Sequence, residues 1–239
     1  MAGHSKWANI KYRKANTDAK RGKIFSRLIK EITVATRISG SDINSNPRLR
    51  LAITKAREQN MPGDTIDRAI KRGSGELDGA QYEEVRYEGY GVAGVPFIVD
   101  CLTDNRTRTA GEIRHTFSKY GGNLGTDGSV LYLFKHCGVI ILESVSDENA
   151  VYELAIDAGA DDIRTMEDAN IEINTNPENY HKVVDALTNA NINPVYNELT
   201  MKALNDIELD NQDFQRIEKL YDALENLDDV QNVYLAANI

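Results

Sequence analysis

The chain has 239 residues, 41% of them hydrophobic and 27% charged, with 28 Lys and Arg against 37 Asp and Glu for a formal net charge of -9. That length exceeds one ordinary domain, and the composition excludes wholesale disorder; no apolar run reaches the roughly 18 residues that cross a bilayer, and no secretory signal opens the chain. Charge is sorted by position: residues 1–75 hold 17 basic and 6 acidic side chains, leaving 11 and 31 for the remainder. An anionic polymer such as DNA or RNA is attracted by the first part and repelled by the second. Cys101 and Cys137 sit in strand-like runs, which fits a reducing compartment better than a disulfide framework and makes a cytoplasmic protein the expectation.

At the start, Lys6, Lys11, Arg13 and Lys14 have few carboxylates near them and read as phosphate neutralisers. Trp7 reads either as a stacking platform for bases, with Tyr12, or as a plug for a helical core. Residues 20–39 form an amphipathic pattern, with Ile24, Phe25, Leu28, Ile29, Ile32 and Ala35 inside an arc of about 140° at helical period. Lys20, Lys23, Arg27, Lys30 and Arg37 cluster within about 100° on the other side, with Val34 and Ile38 as apolar exceptions. These basic residues, with Arg21 and with Lys6, Trp7, Lys11, Arg13 and Lys14, are the candidate nucleic-acid-binding residues. Gly40 stops that helix, Pro47 suits the first turn of a second, and a third runs from about Pro62 to Arg72 with Gly73 as its stop.

After Gly73-Ser74-Gly75 the period changes. Strands are expected at 83–88, 95–102 and 130–134 and a helix at 108–119; from Gly138 a βαββαβ series follows, with strands at 139–142, 163–166, 171–173 and 195–201 and helices at 147–158 and 177–189. A closing helix at 211–226 and strand at 230–235 are too little for a domain and are assigned to the second unit. The expected fold class is α+β and multidomain: a basic helical bundle (1–75), a discontinuous α/β domain (76–136 plus 204–239) and an inserted βαββαβ domain (137–203), the last two small and ferredoxin-like with split βαβ topology.

Gly89-Tyr90-Gly91-Val92-Ala93-Gly94 matches GxGxxG, but a strand follows where a dinucleotide fingerprint requires a helix, so it is read as a hairpin loop. Residues 121–129, with four glycines, lack the Gly-Lys-Ser/Thr ending of a nucleotide loop. They read either as a plain connection or as a probe set against nucleic-acid backbone through Asn123, Gly125, Thr126 and Asp127, helped by Arg106, Arg108, Arg114 and Lys119. His4, His115, His136 and His181 are scattered, and no HExxH, CxxC or GxSxG spacing occurs. No catalytic residue, metal site or cofactor is therefore expected, and no small-molecule substrate or membrane partner.

Residues 1–11 (Met-Ala-Gly-His-Ser-Lys-Trp-Ala-Asn-Ile-Lys), 18–25, 46–50, 60–62, Tyr87 to Gly91 and Gly121 to Ser129 together resemble the YebC/PmpR family over nearly the whole chain. The resemblance implies three domains and a non-enzymatic cytoplasmic protein of a family catalogued as probable DNA-binding transcriptional regulators. It also implies kinship with a mitochondrial translational activator of cytochrome oxidase, and with bacterial members implicated in relieving ribosomes stalled on proline-rich sequence. DNA and ribosomal RNA, with the ribosome as a partner, stand as competing targets. An enzyme acting on nucleotides and an adaptor using the acidic surface alone are the readings of other classes.

Overall fold

The computed structural model describes residues 21–143, 145, 147–166 and 169–237. They divide into two compact units, one of 21–130 with 211–233 and one of 131–210 with 234–237. The first unit begins with three helices: α1 (Arg21–Ser39), α2 (Pro47–Glu58) and α3 (Gly63–Gly73). Asn46 caps α2 by accepting the Leu49 N–H at 3.0 Å, while its amide donates to the Ala35 and Gly40 carbonyls at 2.9 and 2.8 Å. One buried side chain thus starts the second helix and fixes the turn out of the first. Ile32 and Ala35 of α1 meet Leu49, Ala52, Ile53, Ala56, Met61, Ile66 and Ala69 in a small core, as the apolar arc requires. The α1–α3 crossing is close: a Cβ on Gly73 would stand 2.5 Å from the Thr33 carbonyl and 2.6 Å from Thr36 Cβ.

The same unit continues with β1 (Glu83–Tyr90), β2 (Pro96–Thr103), α4 (Arg106–Lys119), β3 (Asn123–Leu124), α7 (Asn211–Glu225) and the greater part of β8 (Val230–Leu235). Its sheet runs β3-β1-β2-β8. With β2 counted as the opening strand, β3, β1 and β8 occupy the second, third and fourth places of a split βαβ sheet, so β1 fills from the N-terminal side a place usually reached later in the chain. The Phe97 and Phe117 rings, both fully buried, meet edge to face at 5.8 Å between β2 and α4.

The second unit holds β4 (Phe134–Leu142), α5 (Glu148–Asp157), β5 (Ala160–Thr165), β6 (Ile171–Thr175), α6 (Tyr180–Asn189) and β7 (Tyr196–Ala203), with strand order β5-β6-β4-β7. This is the ferredoxin-like order. Ile140, Leu142, Ile171 and Ile173 pack under Val151, Ala155, Tyr180, Val183 and Leu187 of the two helices. The described chain is therefore α+β, with seven helices and two separate four-stranded antiparallel sheets.

Two expectations need correction. The strand expected at 130–134 is instead a short 3-10 turn, Leu131–Leu133, leading into β4, and β4 runs unbroken through Gly138, where a new series was expected to begin. Gly138 is there for packing rather than as a break: an added Cβ would stand 2.5 Å from Thr175 Oγ1 and run into the Tyr180 ring. The third strand of the first sheet is drawn from the glycine-rich loop, where two residues are too few to show alternation.

Candidate nucleic-acid interface

Lys23, Arg27 and Lys30, on the cationic side of α1, face protein. Lys23 Nζ donates to the Asn226 carbonyl at 2.6 Å, and Arg27 Nη2 to the Glu225 carbonyl at 2.5 Å. These carbonyls lie at the C-terminal end of α7, where they lack an intrahelical donor and carry the negative end of the helix dipole. Arg37 donates to the Tyr82 carbonyl. Lys30 donates to the carbonyls of Leu102 and Asp228 and to Asp229 Oδ1 at 2.7 Å, with its side chain only 12% exposed. Val34, the apolar exception within this arc, is 1% exposed, whereas Ile38 is 59% exposed. A buried valine among the lysines is the sequence signal that this side packs.

Asp229, 4% exposed, gathers the contact. Besides Lys30 it accepts Arg108 Nη2 at 2.6 Å, Thr109 Oγ1 at 2.7 Å and Thr103 Oγ1 at 3.1 Å on Oδ2. Burial raises its pKa, but the bonds from Lys30, Arg108 and Thr109 outweigh burial and hold the carboxyl well below its usual range. Arg108, expected to help the glycine-rich loop, thus serves this node together with its neighbour Asp104, 2.9 Å away. Arg106 is exposed at the start of the same helix.

Apart from Arg37, exposed near the end of α1, the exposed basic side chains described in the three helices belong to α2 and α3. Arg50 and Arg57, seven residues apart, share a side of α2, and Arg68, Lys71 and Arg72 share a side of α3; all five are exposed. Across 47–73 there are seven basic and three acidic side chains. Arg48 is paired with Glu31 at 2.6 Å and with Glu84. Asp64 and Asp67 stand one turn before the α3 cations and soften the local field. Arg21 opens α1, while Lys6, Trp7, Lys11, Arg13, Lys14 and Lys20 lie outside the described residues.

The loop at 121–129 is built rather than slack. Asn123 and Leu124 pair with Tyr90 and Gly89 of β1. Glu88, 4% exposed, accepts the N–H groups of Gly128 and Val130 at 2.7 Å each, and its own carbonyl accepts Gly125 N–H at 2.8 Å. Tyr90 donates to the Ser129 carbonyl at 2.8 Å. A tight turn closes from Ser129 N–H to the Thr126 carbonyl, with Gly128 at φ +79, a conformation favouring glycine. Thr126, Asp127 and Gly128 form its exposed tip, Asn123 is exposed, and Gly125 is half-buried against Ser129. The neighbouring GxGxxG segment is a hairpin connection between β1 and β2, as expected from the strand that follows it.

Two profiles cover this chain: the TACO1/YebC protein N-terminal domain matches residues 5–76, and the TACO1/YebC second and third domain matches residues 82–237. The chain belongs to the TACO1/YebC family. It is 59% identical over 239 residues to a probable transcriptional regulatory protein of Nitrosospira multiformis, with 100% of both chains covered, and 58% identical over 237 residues to one of Aromatoleum aromaticum, covering 99% of this chain and 98% of that one. The crystal structure of a conserved hypothetical protein from Aquifex aeolicus is similar at TM-score 0.82 and 45% identity, over 93% of this chain and 92% of that one. The resemblance read from residues 1–11 through 121–129 therefore holds as TACO1/YebC membership. Among the described residues no group of three or more His, Cys, Asp or Glu is placed to hold a metal, and no helix is long and apolar enough to cross a membrane.

Proposed function

We propose that this TACO1/YebC chain is a non-enzymatic, cytoplasmic, nucleic-acid-binding regulator of gene expression, using its basic helical part to neutralise phosphates. The observation that carries the reading is the division of labour among the cations. Lys23, Arg27 and Lys30 of α1 face the α/β layer, while Arg50, Arg57, Arg68, Lys71 and Arg72 remain exposed on helices with a net excess of basic side chains. The relatives' name, probable transcriptional regulatory protein, supports the regulatory part. DNA is the first target in this reading, with the basic residues of 1–20 adding to the surface.

A second reading, a translation factor on ribosomal RNA, draws on the loop at 121–129. A tip of three exposed residues buttressed by a buried carboxylate suits insertion against a folded RNA better than groove reading of a duplex. Crosslinking in cells with sequencing of the bound nucleic acid tests both. Reads concentrated on promoter DNA support transcriptional regulation, reads concentrated on ribosomal RNA support the second reading, and an absence of enriched nucleic acid contradicts both.

A further inference from the structure

The Asp229 carboxylate joins three elements of the unit 21–130 with 211–233: α1 through Lys30, α4 through Arg108 and Thr109, and the end of β2 through Thr103. Its carbonyl also accepts the Leu102 N–H at 2.9 Å, so the residue is fixed by backbone as well as side chain. A buried ion pair adds little net stability over an apolar contact. Here a shifted bundle would leave the buried Asp229 carboxylate and the Lys30 ammonium unpaired, a cost that disfavours other arrangements. The same unit holds the exposed cations of α2 and α3 and the tip of the 121–129 loop.

We propose that Asp229 is a positioning residue for polyanion binding: it holds the helical bundle in one orientation on the α/β layer, so that the arginines of α2 and α3 and the loop tip act as one fixed surface. The inference rests on the nucleic-acid reading above and adds to it a residue that meets no ligand. Simple electrostatics predicts the opposite sign. Asp229→Asn removes a negative charge and loosens two cations, which on charge alone tightens binding to phosphate. An autoinhibitory clamp predicts tighter binding too. The Asp229 carboxylate, 5% exposed, and Lys30, 12% exposed, are enclosed, and only Arg108 is open to competing phosphate, which favours positioning.

The test is a salt titration of full-length protein against a fluorescent RNA hairpin and a fluorescent DNA duplex, for wild type, Asp229→Asn and the isosteric, charge-neutral Thr109→Val. If the docked arrangement falls to about a tenth of the population and the undocked form binds through fewer phosphates, Kd for Asp229→Asn rises by up to about tenfold. The logarithmic salt slope becomes shallower as well, because fewer phosphates are engaged at once. Thr109→Val moves both readouts the same way by a smaller factor, and it decides the matter if Asp229→Asn fails to fold by circular dichroism. Equal or tighter binding by the variants, or weaker binding at an unchanged slope, overturns the positioning role while leaving the nucleic-acid reading intact. Wild-type protein that binds neither probe overturns both.

Discussion

Burial pushes the Cys101 thiol up to about 12, and burial also raises that of Cys137. Since the thiolate is the reactive form, a thiol reagent at pH 8 should label neither cysteine in native protein and both after denaturation; rapid native labelling would contradict the packing. Asp229 makes a second test. Its folded pKa lies below the unfolded value of about 3.9, so its contribution is complete above that pH and is lost as pH falls toward the folded pKa. The thermal midpoint should show no loss from this group between about pH 5 and 8 and should drop below about pH 4. Asp229→Asn should show a smaller acid drop, and equal drops would contradict the assignment. The basic spacing of α1 was legible in the sequence, but its acceptors were not, because the carbonyls of Glu225 and Asn226 and the Asp229 carboxylate lie some 200 residues downstream. Periodicity shows that a helix side is cationic; it does not show whether phosphate or protein faces it.

Elements with a strong period were readable. The pattern at 20–39 became α1, Arg21–Ser39, and Pro47 opens α2 as its fixed φ suggests. β3 and the turn at Leu131–Leu133 were not readable, since each is too short to express a period and depends on partners elsewhere. The loop between them shows how such a segment is held. Glu88 sits in β1 forty residues before the Gly128 amide it accepts, and its only sequence hint is its place in the Tyr87 to Gly91 stretch. Glu88→Gln replaces one acceptor oxygen by a donor facing a backbone N–H. It should cost about 1–3 kcal/mol, the range for a buried polar group left unpaired. Amide hydrogen exchange should accelerate at Gly128 and Val130 while the β1–β2 ladder keeps its protection, and unchanged exchange at those two amides would contradict the buttress.

At the scale of the molecule, the charge asymmetry was visible from composition alone, and the structure sorts it further. Part of the positive charge of the first 75 residues serves internal docking, and part stays exposed on α2 and α3. The two parts make different demands on a variant: losing Lys23, Arg27 or Lys30 disturbs the joint, whereas losing the α2 and α3 cations leaves the joint alone. The most direct measurement is therefore the salt dependence of DNA-duplex binding by full-length protein in which Arg50, Arg57, Arg68, Lys71 and Arg72 are replaced by Gln. Each phosphate contact contributes about 0.9 to the slope of log K against log salt, so the variant's slope should be smaller in magnitude by about 2 or more, with the thermal midpoint close to wild type. A slope equal to that of wild type would contradict the claim that these helices form the polyanion-binding surface.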